Sequence, residues 1–332
     1  MTTNTEFKAW RVEEQNGEYV GAEKTLSTGE LPDGEVLIRV SHSSLNYKDA
    51  LSASGNKGVT RSFPHTPGID AAGEVVESAT GTPSNGSPVI VTGYDLGMNT
   101  DGGFGEYIRV PAAWCVPMPA GWNARTAMIY GTAGLTAGLC VQKLLTMGAK
   151  PEQGKVAVSG ASGAVGTVAV ELLSKLGFEV VAISGKAEHA DDLKALGASE
   201  VVGRETLAEE KKPLVKPGFA NAVDTVGGGP LAELLKQIQP GGSVSCCGLV
   251  AGPGLQTTVL PFILRGVNLL GVDSVEIPLA EKEAVWKKFA GEWACPKMEA
   301  SARDIGRKDL NGALKAFLKG ESSGKIVLDH AK

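Results

Sequence analysis

The sequence predicts an α/β protein made of a small β-barrel and a doubly wound parallel sheet. Three observations predict it. The first third carries short apolar runs punctuated by Gly, Pro and Asn. The middle alternates apolar strands with helical segments, which implies a parallel sheet with crossover helices. One of those strands, KVAVS (Lys155–Ser159), runs directly into a glycine loop and then a helix.

The barrel strands are EVLIRV (Glu35–Val40), AAGEVVES (Ala71–Ser78), SPVIVTG (Ser87–Gly93) and GEYIRV (Gly105–Val110). A long helical segment follows, from about Ala124 to Met147. After KVAVS comes a helix over Gly163–Leu176, then strand FEVVAIS, helix HADDLKALG and strand SEVVG. Strand FANAVDTVG, helix PLAELLKQIQ and strands GGSVSCCG and GVNLLGVD complete the alternation. The tail has amphipathic stretches near Ala280–Glu292 and Arg307–Leu318 and closes on GKIVLDH, a strand placed to rejoin the first sheet. No repeat or low-complexity tract interrupts this order.

The 332 residues suit about two domains. Apolar residues at 42% and charged residues at 21% are ordinary for a globular chain. A net charge of −5 argues against a broad nucleic-acid surface and leaves room for a local basic pocket. The start, MTTNTEFKAW, has no apolar run after a basic stretch, so no signal peptide is expected. No stretch approaches the ~20 apolar residues of a membrane span. Five scattered cysteines point to reduced thiols and a cytoplasmic setting.

The loop reads Gly160, Ala161, Ser162, Gly163, Ala164, Val165, Gly166. Against the pattern G-x-G-x-x-G, Ala161 replaces the first glycine, while Gly163 and Gly166 keep the second and third. Gly163 lets the backbone approach a pyrophosphate and Gly166 lets the helix pack close to the strand. The helix N-terminus adds free N–H groups and the positive end of its dipole. A dinucleotide site is the expectation, against a purely structural turn.

Sites selective for NAD place an Asp or Glu at the tip of the second strand to hold the ribose hydroxyls. Here that tip reads Ser184, Gly185, Lys186, with no acid. A carboxylate there would repel a 2′-phosphate; a hydroxyl, space and a cation favour it, so NADPH is the expected cofactor. The competing reading makes Lys186 a solvated lysine and gives the ribose to Glu188 or Asp191.

HSSLNYKDALSASG, PGIDAAG, ARTAMIYGTAGLTA, SGASGAVG, AISGK, DTVGG and TTVLPFILRGVNLLGVDS together resemble the medium-chain dehydrogenase/reductase superfamily over essentially the whole chain. Within it they are most similar to the quinone oxidoreductase-like acryloyl-CoA reductase group. That resemblance implies a GroES-like β-barrel catalytic domain over 1–124, a Rossmann NADP-binding domain over 125–275, and a segment over 276–332 returning to the catalytic domain. Zinc-dependent members carry a Cys near Asn46 and a His-Glu pair where this chain has Ile69 and Asp70. The four clustered cysteines of a structural zinc site are also missing, so no metal is expected.

The resemblance further places Tyr47 beside the nicotinamide and Thr136 against its amide, with Leu249, Ile263 and Ser274 as cofactor contacts. Tyr47, read as lying in a loop after a strand, is the candidate donor to a developing enolate; packing at the barrel edge is the plainer reading. Asn46 supports its position or caps a turn. Thr136 is read at a helix start. Asp224, ending a strand, shapes the cofactor loop or caps the following turn. Arg61 and Lys57, a small basic pair, are the expected phosphate contact for a CoA substrate. Adjacent Cys246 and Cys247 point to opposite sides of their strand and do not make a metal site.

The reaction these readings imply is NADPH-dependent reduction of an enoyl thioester, acryloyl-CoA to propionyl-CoA. A quinone reductase of the same fold, and an NADPH-binding protein without physiological turnover, are the alternatives. The segment NLLGVDS reads as a sheet edge, and pairing of such edges predicts a homodimer.

Overall fold

The structure is a computed structural model that describes residues 4–332. Its contacts divide it into two compact units: Met1–Thr132 with Val275–Gly291 and Ser301–Lys332, and Ala133–Ser274 with Glu292–Ala300. The sequence had put the breaks after 124 and 275. The first unit thus keeps Arg125–Thr132 and Val275 as well, and Glu292–Ala300 goes with the second.

In the first unit, strands β1 (Glu6–Gln15) and β2 (Glu18–Ser27) form an antiparallel hairpin. Asn16 and Gly17 turn it, both at positive φ, which is the two-residue turn that suits strand twist. Next come β3 (Val36–Ser44), α1 (Tyr47–Ala53), β4 (Asp70–Ser78), β5 (Pro88–Thr92), β6 (Tyr107–Val110) and β7 (Val116–Pro117). Strand β3 is the hub, pairing with β4 and β6 and with a strand from the end of the chain. Its alternation places Val36, Ile38 and Val40 inside, against Val75, Val89, Val91 and Ile108, while Arg39 and Ser41 face out.

Helix α2 (Ala124–Thr146) crosses from one unit to the other along the chain. It is not continuous: Gly131 takes φ 50° and ψ −159°, outside the helical region. The single long helix expected from the sequence is therefore two helices joined at a glycine break.

The second unit contains β8 (Val156–Ser159), α3 (Ala164–Lys175), β9 (Val180–Ile183), α4 (Ala190–Leu196) and β10 (Glu200–Val202). It continues with β11 (Asn221–Asp224), α5 (Gly228–Lys236), β12 (Ser243–Cys246), α6 (Leu260–Arg265) and β13 (Asn268–Gly271). All six strands are parallel, in the order β10-β9-β8-β11-β12-β13. Counted from β8, this is the doubly wound order 3-2-1-4-5-6, whose reversal point between β8 and β11 is where such sheets bind ligands. Leu231, Leu234 and Leu235 of α5 pack on Ala157, Val181, Ala222 and Val244, and burying one such leucine contributes about 1.5–3 kcal/mol.

The chain ends with α7 (Leu279–Phe289), α8 (Pro296–Ser301), β14 (Arg303–Ile305), α9 (Leu310–Leu318) and β15 (Ile326–Asp329). As expected, β15 returns to the first sheet, antiparallel to β3 with Val327 opposite Ser44. The segment around α8 is tied to the second unit by Glu171, whose carboxylate accepts the N–H groups of Lys297 (3.0 Å) and Met298 (2.7 Å). No helix among the described residues is long and apolar enough to cross a membrane.

Candidate active site

The glycine loop leaves the C-terminal end of β8 at the reversal point. Gly160, not Ala161, takes the left-handed turn, at φ 62°. Ala161 is fully buried, and its N–H bonds the Ile183 carbonyl (3.1 Å). Gly163 caps α3, and a Cβ there would meet only the Gly160 carbonyl oxygen, at 3.2 Å. At Gly166 a Cβ would fall 2.7 Å from Ala161 Cα, so the glycine is what lets α3 lie against the loop. The first-turn N–H groups of Ala164, Val165 and Gly166 have no carbonyl within the helix to bond, the usual condition of an anion-binding helix start.

The tip of β9 is wired to this loop. The Ser184 hydroxyl donates to Ser162 Oγ (3.0 Å) and accepts the Lys186 N–H (3.1 Å). Glu188 and Asp191 are exposed on the following turn and helix. The sequence reading missed Arg204, which follows β10. A Cβ on Gly185 would lie 2.6 Å from Arg204 Nη2, so the glycine makes room for a guanidinium over the strand tip. Arg204 is exposed and makes no side-chain hydrogen bond or ion pair among the described residues.

Asp224 is fully buried at the end of β11. It accepts the Ser159 hydroxyl (2.6 Å) and the Gly227 N–H (2.8 Å), and burial raises its pKa. Of the two readings offered, it caps the turn, and it also fastens the ends of β8 and β11 together. Thr136 is not at a helix start by residue count; it stands five residues past the Gly131 break. Its hydroxyl donates to Ser274 Oγ (2.8 Å), and both residues are buried. Leu249 and Ile263 are exposed apolar side chains, 57% and 69% accessible.

The first unit holds a buried polar cluster. Tyr47 is not in a loop: it opens α1, with Asn46 as the N-cap. Asp49, three residues after Asn46, accepts the Asn46 N–H at one oxygen and the Ile69 N–H at the other, each 2.8 Å. Asp70 accepts the Ser44 hydroxyl, Asn46 Nδ2 (2.8 Å), the Thr132 N–H (2.9 Å) and the Thr132 hydroxyl (2.5 Å). The break at Gly131 makes this last pair possible, because a Cβ there would lie 2.7 Å from Asp70 Oδ2.

Burial, then the charge of Asp70, pushes Asp49 up to about 7. Lys325, just before β15, is buried with no hydrogen-bond partner for its Nζ among the described residues. Burial lowers it to about 8, against the pull of Asp70 and Asp49. Neither Asp49 nor Lys325 was singled out from sequence. NYKD does carry the signature of an N-cap with an acid three residues on; Lys325 carries no local signal at all.

The two expected substrate cations fare differently. Lys57 Nζ lies 4.8 Å from the centre of the Phe63 ring, 5.3 Å from that of Tyr19 and 3.8 Å from Glu14. Arg61 is exposed, anchored by its own backbone N–H on Asn99. The structure therefore engages Lys57 in ring contacts and leaves the Arg61 guanidinium open. No group of three His, Cys, Asp or Glu among the described residues could hold a metal.

Two family profiles match: the alcohol dehydrogenase GroES-like domain over residues 32–120 and the zinc-binding dehydrogenase domain over 164–290. The acrylyl-CoA reductase AcuI of Ruegeria pomeroyi is 43% identical over 318 residues, 96% of each chain. The crystal structure of the Salmonella enterica YhdH oxidoreductase in complex with NADP is 42% identical with a TM-score of 0.94, covering 97% of this chain and 99% of that one. Bacillus subtilis YhfP, a quinone oxidoreductase by name, was solved with NAD bound. It matches at 44% identity and a TM-score of 0.94, covering 98% of this chain and 99% of that one.

Proposed function

The chain belongs to the medium-chain dehydrogenase/reductase family, in its quinone oxidoreductase-like acryloyl-CoA reductase group, and from that membership we propose that it reduces the C=C bond of acryloyl-CoA with NADPH, giving propionyl-CoA. The observation that carries the substrate is the near-full-length 43% identity to an acrylyl-CoA reductase.

Relatives of similar identity were solved with NADP and with NAD, so the choice of cofactor rests on this chain's own residues. They fit a 2′-phosphate: no acid stands at the tip of β9, Ser184 and Lys186 do, and Gly185 clears the space that Arg204 occupies. Residues Ala161–Gly166 hold the pyrophosphate by backbone N–H groups. Ser184, Gly185, Lys186 and Arg204 hold the adenosine phosphate. Asp224 caps the turn at Gly227 and fastens the ends of β8 and β11 beneath the cofactor, and Thr136, Ser274, Leu249 and Ile263 take the nicotinamide end.

NADPH, when bound, supplies the hydride. The protein's part is to stabilise the oxyanion that develops on the thioester and to bring a proton to the α-carbon. Tyr47, at the first position of α1, donates a hydrogen bond to that oxygen. Asn46, fixed through its backbone by Asp49 and through its side chain by Asp70, sets where Tyr47 stands. Arg61 is the open cation for a CoA phosphate.

Deuteride transfer tests the reading. With NADPH deuterated on the reactive face of the nicotinamide, the propionyl-CoA formed should carry one deuterium, on the β-carbon. Reduction of a quinone without any propionyl-CoA would favour the second reading, which the name of YhfP supports. We also propose that β13, an edge strand carrying Leu269 and Leu270, pairs with its copy in a homodimer.

A further inference from the structure

We propose that Lys325 is a positioning residue: the internal cation that balances Asp49 and Asp70 and, through them, holds Asn46 and Tyr47 in their reactive arrangement. The inference rests on the proposed reaction for its role and on the geometry of the first unit for its argument.

A lone buried ammonium is costly, because desolvating it takes several kcal/mol unless something compensates. Lys325 Nζ has no hydrogen-bond partner among the described residues, so the compensation is through space. The charged groups acting on it are Asp70, at the start of β4, and Asp49, on α1. The backbone brings these segments together: the Ile326 carbonyl accepts the Leu45 N–H (3.1 Å), one residue before Asn46, and Val327 pairs with Ser44, whose hydroxyl donates to Asp70. On β14, its neighbour Arg303 gives only a backbone N–H to the Lys325 carbonyl (3.0 Å) and is exposed. Both carboxylates spend their acceptor capacity on the segment that carries the chemistry: Asp49 on the Asn46 and Ile69 N–H groups, Asp70 on Asn46, Ser44 and Thr132.

With Lys325 in place Asp49 is already raised to about 7, so losing the cation carries its protonated form further into the alkaline range. A protonated Asp49 accepts less well from the Asn46 N–H, and the N-cap of α1 loosens. Tyr47 is the next residue. A cation with no partner of its own can set the protonation of this pair without competing for the hydrogen bonds that position Asn46.

Lys325→Met and Lys325→Arg test this. Turnover of acryloyl-CoA is followed from about pH 6 to about pH 10 in wild type and both variants. In Lys325→Met kcat should fall about 10²-fold, the cost of a misplaced catalytic group, while KM for NADPH stays within about twofold. Wild type should lose kcat on an alkaline limb near the Lys325 midpoint, about 8. Lys325→Arg should restore most of kcat and push that limb out of range, because guanidinium does not deprotonate. Unchanged kcat in the Met variant, or a limb that stays in place in the Arg variant, overturns the proposal. Should Lys325→Met fail to fold, the Arg variant alone decides.

A readout independent of turnover separates this inference from the substrate assignment. The side-chain amide of Asn46 donates to Asp70, so its 15N resonance should carry, beside the Asp49 step near 7, a second step at the Lys325 midpoint near 8 in wild type that is absent in Lys325→Arg. A wild-type resonance without that second step, or one that keeps it in the Arg variant, overturns the positioning role even if acryloyl-CoA is reduced. A step lost in the Arg variant upholds it even if the acceptor proves to be a quinone.

Discussion

At the scale of single residues, the strand tip of the second unit and the polar cluster of the first are built on opposite electrostatic logic. The strand tip around Gly185 is open, and its guanidinium faces water, waiting for an anion. The cluster around Asp70 is sealed, with its carboxylates already engaged by hydrogen-bond donors of the protein. Removing a cation from the first should therefore change selectivity and leave stability alone. In Arg204→Ala, KM for NADPH should rise about tenfold or more while KM for NADH barely moves, since a charge-assisted contact of ~1.5–3 kcal/mol is lost with one cofactor only. Equal changes for both would show that Arg204 does not meet the 2′-phosphate. In Tyr47→Phe, kcat should drop by more than NADPH binding weakens; unchanged turnover would take Tyr47 out of the reaction.

The sealed cluster instead writes itself into stability. Asp49 moves from 3.8 to about 7 on folding, so between those values the folded protein keeps a proton that the unfolded chain has released. Its contribution to stability therefore falls as pH rises through that window. Lys325 moves from 10.5 to about 8, so above 8 the folded protein has shed a proton that the unfolded chain keeps, and its contribution rises with pH until 10.5. Together they put a minimum between about pH 7 and 8. Urea midpoints across pH should show the alkaline rise in wild type and lose it in Lys325→Met. A rise that persists in the variant would assign it to another group.

At the scale of elements, two glycines carry the geometry. Gly131 breaks α2 so that Thr132 can present both its N–H and its hydroxyl to Asp70. Gly131→Ala adds a Cβ in a left-handed backbone and against Asp70, and should cost about 1–3 kcal/mol together with a fall in kcat. Gly166→Ala sets a Cβ against the Ala161 backbone and should weaken NADPH binding about tenfold or more, by moving the start of α3. Normal cofactor affinity in Gly166→Ala would mean the helix start is not what holds the pyrophosphate. Gly166 was legible in the sequence because a motif spacing names it. Gly131 was not, because helical periodicity runs straight through ARTAMIYGTAGLTA and hides a break that only the contact with Asp70 explains. The first hairpin is the opposite case, since its QNGE turn between two alternating runs is a strong local signal.

At the scale of the whole molecule, the parallel sheet followed from alternating strands and helices, because crossover helices leave successive strands running the same way. The C-terminal strand was placed correctly beside the first sheet. Half of the site, however, depends on residues distant in sequence. Lys325 comes within electrostatic reach of Asp49 and Asp70 only because β15 crosses back onto β3. Arg204 meets Gly185 because β10 lies beside β9. No spacing rule reports either encounter. The exposed edge of β13 gives the assembly prediction: sedimentation should find a dimer, and Leu270→Lys should release monomers with the cofactor site intact. A compact wild-type monomer at assay concentration would count against edge pairing.

The central claim is one reaction with one cofactor, and initial rates test it most directly. Acryloyl-CoA and a simple benzoquinone are each offered to the purified protein with NADPH and with NADH, and loss of the reduced nicotinamide is followed. The account predicts rapid loss with acryloyl-CoA and NADPH, at a kcat/KM at least about tenfold above any other pairing. Loss with the quinone alone, or equal rates with NADH, would contradict it.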